Sequence, residues 1–141
     1  KKESNSKSLL STIPSSLPAA LKSQKLQKKA ARVGFDWPDI NGAMNKLHEE
    51  IDELKESLNQ NHRPDILDES GDVLFSAINV IRKCGIDAEE ALQSANDKFI
   101  QRFQSMEILA ENQHTSLETL SLEQQNELWN ESKKALKKQK R

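Results

Sequence analysis

The chain has 141 residues, a length that suits one domain, and 35% of its residues are hydrophobic while 30% are charged. Its 21 Lys and Arg residues balance 22 Asp and Glu residues, and the formal net charge of -1 argues against binding nucleic acid or membranes through a global field. Four Gly and four Pro residues are too few for the many turns of an all-β sandwich. These numbers predict an all-α fold.

Cysteine content and hydrophobic patterning indicate the compartment. The single cysteine, Cys84, can form neither an internal disulfide nor a Cys-based zinc site, which fits a reducing cytosol. No stretch approaches the length of a membrane span, and the N-terminal segment has no apolar region of secretory type. We therefore expect a cytoplasmic protein. The first residue is Lys1 rather than Met, which indicates a fragment or a processed chain.

Composition divides the chain into three segments. Residues 1–17 are rich in Ser and Lys with scattered apolar positions, which is typical of a linker or N-terminal arm. Residues 18–136 carry the helical patterns of the predicted domain. Residues 137–141 form a basic tail, which lacks the interleaved aromatic residues of a nucleic-acid groove. We therefore predict neither a membrane nor a nucleic-acid partner.

The first two predicted helices flank a compact loop at residues 34–38. Pro18 suits the first turn of the first helix, which runs through Arg32. Asp36 or Asp39 is expected to cap the second helix. That helix has apolar residues at spacings of three and four, which predict an amphipathic helix. They are Met44, Leu47, Ile51, Leu54 and Leu58.

The third predicted helix spans residues 65–84, after a polar break at residues 59–64. Apolar residues cover most of its circumference, so we expect it to be buried on several sides. In so small a chain, this pattern predicts a central position at a subunit interface. Gly85 follows the helix in the manner of a C-cap.

The fourth and fifth predicted helices complete the domain. Asp87 and Glu90 resemble a capping box at the start of the fourth helix, which runs through Leu109. A polar stretch follows, and the fifth helix is expected to begin near Ser121.

Acidic residues occur at helical spacing on the second helix. Glu49, Glu50 and Glu53 share one face beside the apolar stripe. Taken alone, such a group is most often a solvated helix flank. The pattern gains meaning only if a second acidic face meets it.

The third helix offers that second face. Glu69 and Asp72 are three residues apart and begin a narrow polar stripe on an otherwise apolar helix. Charged residues are rarely buried without partners. One interpretation is that both flank the helix start and pair with basic neighbours such as Arg82 or Lys83. The other is that they converge with the acids of the second helix.

Converging carboxylates require a positive charge between them. Two carboxylates about 4 Å apart repel by roughly 4 kcal/mol at an effective dielectric near 20. Four or five would offset much of a domain's stability of about 5–15 kcal/mol. Oxygen-only ligands indicate a hard cation, Mg²⁺ or Mn²⁺, rather than zinc. A ferritin-type di-iron bundle, which needs a pair of Glu-x-x-His motifs, is the weaker interpretation.

Basic and aromatic residues occur on the last two helices. Lys98 and Arg102 are four residues apart and are usually surface salt-bridge partners, but beside a metal site such residues clamp phosphate oxygens. Trp129 and Lys133, also four apart, suit stacking on a base and contact with a phosphate or sugar. Alone, Trp129 is more often a core anchor.

The order of these motifs resembles that of the MazG-like nucleoside triphosphate pyrophosphohydrolases. Residues 49–53 followed by residues 69–72 resemble the E-E-x-x-E … E-x-x-D pattern of that family. The likeness covers roughly residues 9–134, including a Ser/Pro-rich piece that resembles an inter-domain linker. The flanking signatures look like those of the C-terminal MazG domain of the two-domain bacterial protein; they are residues 25–37, 71–75 and 95–103.

The resemblance implies an all-α fold that assembles as a homodimer whose helices form a bundle. It implies Mg²⁺-dependent hydrolysis of nucleoside triphosphates to a monophosphate and pyrophosphate, with Mn²⁺ as a possible substitute. The implied metal ligands are Glu50, Glu53, Glu69 and Asp72. Glu49 would be a further ligand or would orient a water.

The resemblance also implies a set of substrate contacts. Lys98 and Arg102 would hold phosphates, and Asn96 would add a polar contact. Trp129 and Lys133 would face the nucleoside. A weaker candidate for a phosphate contact, one turn before Glu50, is Lys46.

Two positions depart from the family pattern. His48 precedes the acidic pair, and no role is carried over to it. Ser70 stands where many relatives have a longer acidic run. Neither departure changes a required ligand position.

Two functions therefore remain open at this point. The first is a pyrophosphohydrolase of broad specificity that cleanses the nucleotide pool, because a stacking Trp accepts any base. The second is a non-catalytic helical dimer that binds nucleotide or a protein partner as a regulatory scaffold. The linker-like start of the chain hints at a second MazG domain before Lys1.

Overall fold

The computed structural model describes residues 8–139, with five α-helices and no strand in this range. The short 3₁₀ turns Leu9–Thr12 and Leu117–Thr119 precede the first and last helix. The all-α prediction is confirmed. Residues 1–7 of the expected arm and 140–141 of the expected basic tail lie outside the described residues. The helices are α1 (Ala19–Arg32), α2 (Ile40–Gln60), α3 (Arg63–Lys83), α4 (Ala88–Asn112) and α5 (Leu122–Gln139).

The chain separates into two compact units, Lys1–Ala91 and Leu92–Arg141. The first unit contains α1, α2 and α3, together with the first turn of α4. The second contains the rest of α4 and α5.

Asp39 begins α2, whereas Asp36 has a different role. Oδ1 of Asp39 accepts hydrogen bonds from the backbone N–H groups of Asn41 (2.9 Å) and Gly42 (3.4 Å), as expected of an N-cap. Asp36 instead pairs with the end of α3, where it accepts hydrogen bonds from Arg82 and Lys83. Of the two candidates that the sequence offered, Asp39 is the cap.

The break between α2 and α3 is shorter than the sequence predicts. The second helix continues to Gln60, and Asn61 reverses the chain with a φ of 54°. The third helix begins at Arg63 because Pro64 is tolerated in the first turn, where its missing N–H is not needed. Pro18 behaves differently and lies one residue before α1, at its N-cap.

Local hydrogen bonds also fix the starts of α4 and α5. Oδ1 of Asp87 accepts from the N–H groups of Glu89 (2.9 Å) and Glu90 (3.5 Å). Ser121 and Gln124 form a capping box, in which each side chain accepts from the other residue's N–H (3.1 and 2.9 Å). The predicted starts of both helices are therefore confirmed.

Buried polar side chains of α1 hold the first unit together. Gln24 donates from Nε2 to the carbonyl of Ile86 (2.9 Å) and accepts from the N–H of Ala88. Gln27 donates from Nε2 to the carbonyl of Phe75 on α3 (3.0 Å). Gln24 thus satisfies backbone groups at the α3–α4 connection and Gln27 satisfies one within α3, so α1 docks on α3 through specific hydrogen bonds as well as apolar contact.

The single chain does not bury α3 on several sides. Val80 and Ser76 are buried, but Leu67 is 77% exposed and Leu74 is 66% exposed. The helices of the first unit cover only part of the circumference of α3, so the remaining apolar residues face outward. In the chain alone α3 is therefore only partly buried, and its position at a subunit interface stays a prediction.

The second unit has its own small core. Met106 and Ala110 of α4 and Leu128 of α5 are buried together, and the partly buried Trp129 packs against them. None of the described helices is long and apolar enough to cross a membrane.

Candidate active site

The short connection at residues 61–62 makes α2 and α3 a helical hairpin, and this hairpin brings acidic residues together. Glu50 of α2 and Glu69 and Asp72 of α3 offer carboxylate oxygens that all lie within 4.8 Å of one another. Glu50 is only 5% exposed, Glu69 is half-buried and Asp72 is exposed. Within residues 8–139, no other group of three or more His, Cys, Asp or Glu side chains converges in this way.

Two oxygens of this acidic cluster lack hydrogen-bond partners. Oε1 of Glu50 and Oε1 of Glu69 are buried and have no partner among the described residues. A buried acceptor without a partner costs about 1–3 kcal/mol, and more when it is charged. The cluster therefore favours binding a positive charge.

The pKa of Glu69 is also raised by its surroundings in the cluster. Burial of the carboxyl group is the largest cause that raises its pKa, and the negative charges of Glu53, Asp72, Glu50 and Asp68 raise it further. Both causes penalise the ionised form. A divalent cation at this position would remove the penalty by neutralising the carboxylates.

Glu49 and Glu53 lie outside the group of three. The Glu49 side chain is 58% exposed, and its Oε1 lies 3.6 Å from Nζ of Lys46. Glu53 is exposed, but its charge raises the pKa of Glu69. The structure thus brings together three of the five predicted acids, with Glu53 close enough to act on them electrostatically.

Lys46 contacts the buried acid of the cluster, although its side chain is 40% exposed. Its Nζ lies 2.8 Å from Oε2 of Glu50, four residues along α2. The hydrogen bond to Glu50 is the largest cause that raises the pKa of Lys46. The sequence offered Lys46 only as a phosphate contact, and its spacing from Glu50 was the available signal for this ion pair.

The residues of the acidic cluster fit a hard divalent cation. All three donors are carboxylates, which Mg²⁺ and Mn²⁺ prefer over the nitrogen and sulfur ligands of zinc. Two of the cluster's carboxylate oxygens are buried without a partner among the described residues, and a cation would supply one. Glu50, Glu69 and Asp72 are the side chains that would hold it.

An aromatic cluster lies in the second unit. The guanidinium carbon of Arg102 is 5.6 Å from the ring centroid of Trp129, in cation–π range. Phe99 lies 5.6 Å from Trp129 and 5.9 Å from Phe103, measured between ring centroids. From the sequence, Arg102 and Trp129 are predicted substrate contacts, whereas Phe99, four residues before Phe103, is assigned no role.

The other predicted substrate contacts are exposed polar residues of the second unit. Asn96 and Lys98 lie on α4, and Lys133 lies one turn after Trp129 on α5. Their side chains are open to solvent and suited to binding an anionic ligand. The departures from the family pattern are outside the acidic cluster: His48 is exposed, and Ser70 donates to the carbonyl of Ile66 (2.6 Å) within α3.

One Glu-x-x-His spacing does occur, at Glu111 and His114. His114 follows the end of α4 with a φ of 61°, so the two side chains do not share a helix face. A di-iron bundle needs such a motif on each of two helices. The carboxylate cluster of α2 and α3 contains no histidine, which disfavours that interpretation.

Comparisons with known proteins agree with this geometry. Residues 40–106 match the model of the MazG nucleotide pyrophosphohydrolase domain. The chain is 39% identical over 129 residues to the nucleoside triphosphate pyrophosphohydrolase of Escherichia coli (strain K12), an alignment covering 90% of this chain and 49% of that protein.

Two further relatives show similar levels of identity. The nucleoside triphosphate pyrophosphohydrolase/pyrophosphatase MazG of Thermotoga maritima is 39% identical over 117 residues, which cover 83% of this chain and 45% of that protein. The uncharacterized protein YabN of Bacillus subtilis (strain 168) is 41% identical over 133 residues, or 94% of this chain and 27% of that protein.

The chain thus spans about half the length of the first curated relatives that it matches. The matched region, residues 40–106, contains all three acids of the cluster and most of α4. On this evidence the chain is similar to the MazG nucleotide pyrophosphohydrolases, and residues 40–106 carry the match to their domain model.

Proposed function

We propose that this chain hydrolyses nucleoside triphosphates to a nucleoside monophosphate and pyrophosphate, with Mg²⁺ as the cofactor and Mn²⁺ as a substitute. The observation that carries the proposal is the convergence of Glu50, Glu69 and Asp72, two of which have buried oxygens without a partner. The names of the Escherichia coli and Thermotoga maritima relatives support the reaction.

The carboxylates supply the binding site for the cation in this proposal. Glu50, Glu69 and Asp72 hold it, and the exposed Glu53 is the next oxygen donor on the same face of α2. Glu49 has the secondary role of orienting a water. A bound Mg²⁺ supplies charge neutralisation for the phosphate oxygens and lowers the pKa of a coordinated water.

The remaining residues bind and orient the substrate. Lys98 and Arg102 donate hydrogen bonds to phosphate oxygens, with Asn96 as an added polar contact. Trp129 stacks on the base, and Lys133 faces the sugar or a phosphate. Water attacks the α-phosphorus, and the bond to the departing pyrophosphate breaks, so no covalent nucleophile on the protein is needed.

Broad base specificity is part of the proposal. Stacking on Trp129 uses the π-face that every base has, so the contact discriminates little between bases. We therefore expect ribo- and deoxyribonucleotides with different bases to be hydrolysed at comparable rates, as in nucleotide-pool cleansing.

The lone cysteine supports a cytoplasmic location for this activity.

The exposed apolar residues support a homodimer. Among the described residues only six apolar side chains are buried, whereas 17 large hydrophobic side chains are exposed. Leu67, Leu74 and Phe75 lie along one exposed face of α3, beside Gly71, whose Cα is open to solvent. An unpartnered apolar face of this kind is typical of a subunit interface. Light scattering should give twice the chain mass, and Leu74→Glu should shift it toward the monomer.

The activity assay separates the two candidate functions. With mixed nucleoside triphosphates and Mg²⁺, we expect release of pyrophosphate rather than orthophosphate, and its loss with a chelator. Asp72→Ala and Glu53→Ala should abolish release, while Glu56→Ala, an exposed control on α2, should not. Nucleotide binding without pyrophosphate release would instead support the regulatory scaffold.

A further inference from the structure

Lys46 lies one turn before Glu50 on α2 and is the basic group in contact with the buried acid. Its Nζ is 2.8 Å from Oε2 of Glu50 but 3.6 Å from Oε1 of Glu49. The nearer carboxylate is buried, whereas Glu49 is largely exposed. Lys46 therefore neutralises the acid that has the least access to water.

The two oxygens of Glu50 have different surroundings. Oε2 accepts from Lys46, while Oε1 is buried without a partner among the described residues. The Lys46 ammonium group lies on the Oε2 side of the carboxylate only, 2.8 Å away. The Glu50 carboxylate thus faces the positively charged ammonium group of Lys46 on one side and has a free acceptor oxygen on the other.

This arrangement has two electrostatic consequences. When no divalent cation is bound, Lys46 is the positive charge that offsets the buried carboxylate, whose unpaired burial would be costly. A divalent cation that binds Glu50 must share the carboxylate with the ammonium group of Lys46. The positive charge of the ammonium group then repels the cation. The same contact stabilises one state and weakens the other.

We propose that Lys46 is the internal counter-ion of the acidic cluster, stabilising the cation-free protein and lowering the affinity of the cluster for divalent cations. This inference rests on the proposed metal site and concerns the step before nucleotide binds. Binding of a cation loosens the contact between Lys46 and Glu50. The ammonium group is then free to contact a phosphate oxygen.

The first test measures Mn²⁺ binding by calorimetry in the absence of nucleotide. Lys46→Met removes the charge and keeps an unbranched side chain, Lys46→Arg keeps the charge, and Lys55→Met is a control at an exposed position of α2. We expect Lys46→Met to bind Mn²⁺ about fivefold more tightly than the wild type. The other two variants should remain within about twofold of it.

The second test measures thermal stability in EDTA and in saturating Mn²⁺. In EDTA, Lys46→Met should melt about 3 °C below the wild type, because Glu50 loses its counter-ion. In Mn²⁺ the difference should shrink, because the cation replaces that charge. If Lys46→Met fails to fold, Lys46→Gln provides the same comparison while retaining one donor for Glu50.

The outcomes separate this inference from the proposed function. Unchanged Mn²⁺ affinity in Lys46→Met, with an equal loss of melting temperature in EDTA and Mn²⁺, would show an ordinary ion pair and overturn the inference alone. A lack of Mn²⁺ binding by the wild type and by Lys55→Met would overturn both the inference and the proposed metal site.

Discussion

The acidic cluster of α2 and α3 and the aromatic cluster of α4 and α5 differ in whether their charged groups already have partners within the protein. Glu50 and Glu69 each have a buried carboxylate oxygen without a partner among the described residues. Arg102 and Trp129, in contrast, already contact each other, and Phe99 packs beside the indole ring. The first cluster has acceptor oxygens that could hold a cation, whereas the second is satisfied by its own contacts.

This difference determines what each cluster can show about function. Buried carboxylates without partners are unfavourable in a structure alone, so they point to a ligand of opposite charge. An aromatic cluster topped by a guanidinium group is common both in cores and in sites that bind bases. The metal site can therefore be tested by binding, while the role of Trp129 requires kinetics.

The largest effect is expected when the acidic cluster loses one charge. Glu50→Gln keeps the shape of the side chain but removes a ligand, and nucleoside triphosphate hydrolysis should fall on the order of 100-fold or more, because several kcal/mol of charge stabilisation are lost. Glu56→Gln on the same helix is the matched control and should hydrolyse at the wild-type rate. Near wild-type activity in Glu50→Gln would remove Glu50 from the site.

A smaller effect is expected in the aromatic cluster. Trp129→Ala should raise KM about 10-fold and lower kcat much less, because stacking contributes about 1–3 kcal/mol to binding a base. Trp129→Phe keeps an aromatic face and should recover most of the affinity. A loss of melting temperature with unchanged KM would assign Trp129 to the core around Leu128 instead.

The smallest effect is expected at an acid whose carboxylate already has basic partners. The hydrogen bond from Arg82 is the main cause that holds the pKa of Asp36 below its usual range, with Lys83 contributing. The folded protein therefore gains stability from this pair above about pH 4, where the unfolded carboxyl group is ionised, and loses it as pH falls through the lowered pKa.

Asp36→Asn should consequently destabilise the fold by about 1 kcal/mol at pH 7, as expected for a partly exposed ion pair. The difference from the wild type should shrink in acid, which denaturant unfolding at pH 7 and near pH 3 would measure. An equal difference at both pH values would show that the charge of Asp36 does not matter.

Much of the fold could be predicted from the sequence because its signals are local. Spacings of three and four mark α2, and the capping residues Asp39, Asp87 and Ser121 lie where helices begin. The errors concerned non-local effects. The exposure of Leu67 and Leu74 depends on how much of α3 the neighbouring helices cover, which helical periodicity does not reveal.

The candidate site was predictable to a similar degree. Convergence of Glu50, Glu69 and Asp72 follows from acidic faces on two helices that form a hairpin. Which acids point inward depends on helix rotation, and this explains why Glu50 is buried whereas the Glu49 side chain is 58% exposed. Residue spacing alone could not rank these acids by burial.

The most direct test of the metal site is calorimetric titration of the wild type and Glu69→Gln with Mn²⁺. The wild type should bind Mn²⁺, and Glu69→Gln should bind it at least about 10-fold more weakly. In EDTA the variant should melt at a higher temperature than the wild type, because burial and neighbouring acids penalise the charge of Glu69. Equal Mn²⁺ affinity in the two proteins, or no binding to either, would contradict a cation site between α2 and α3.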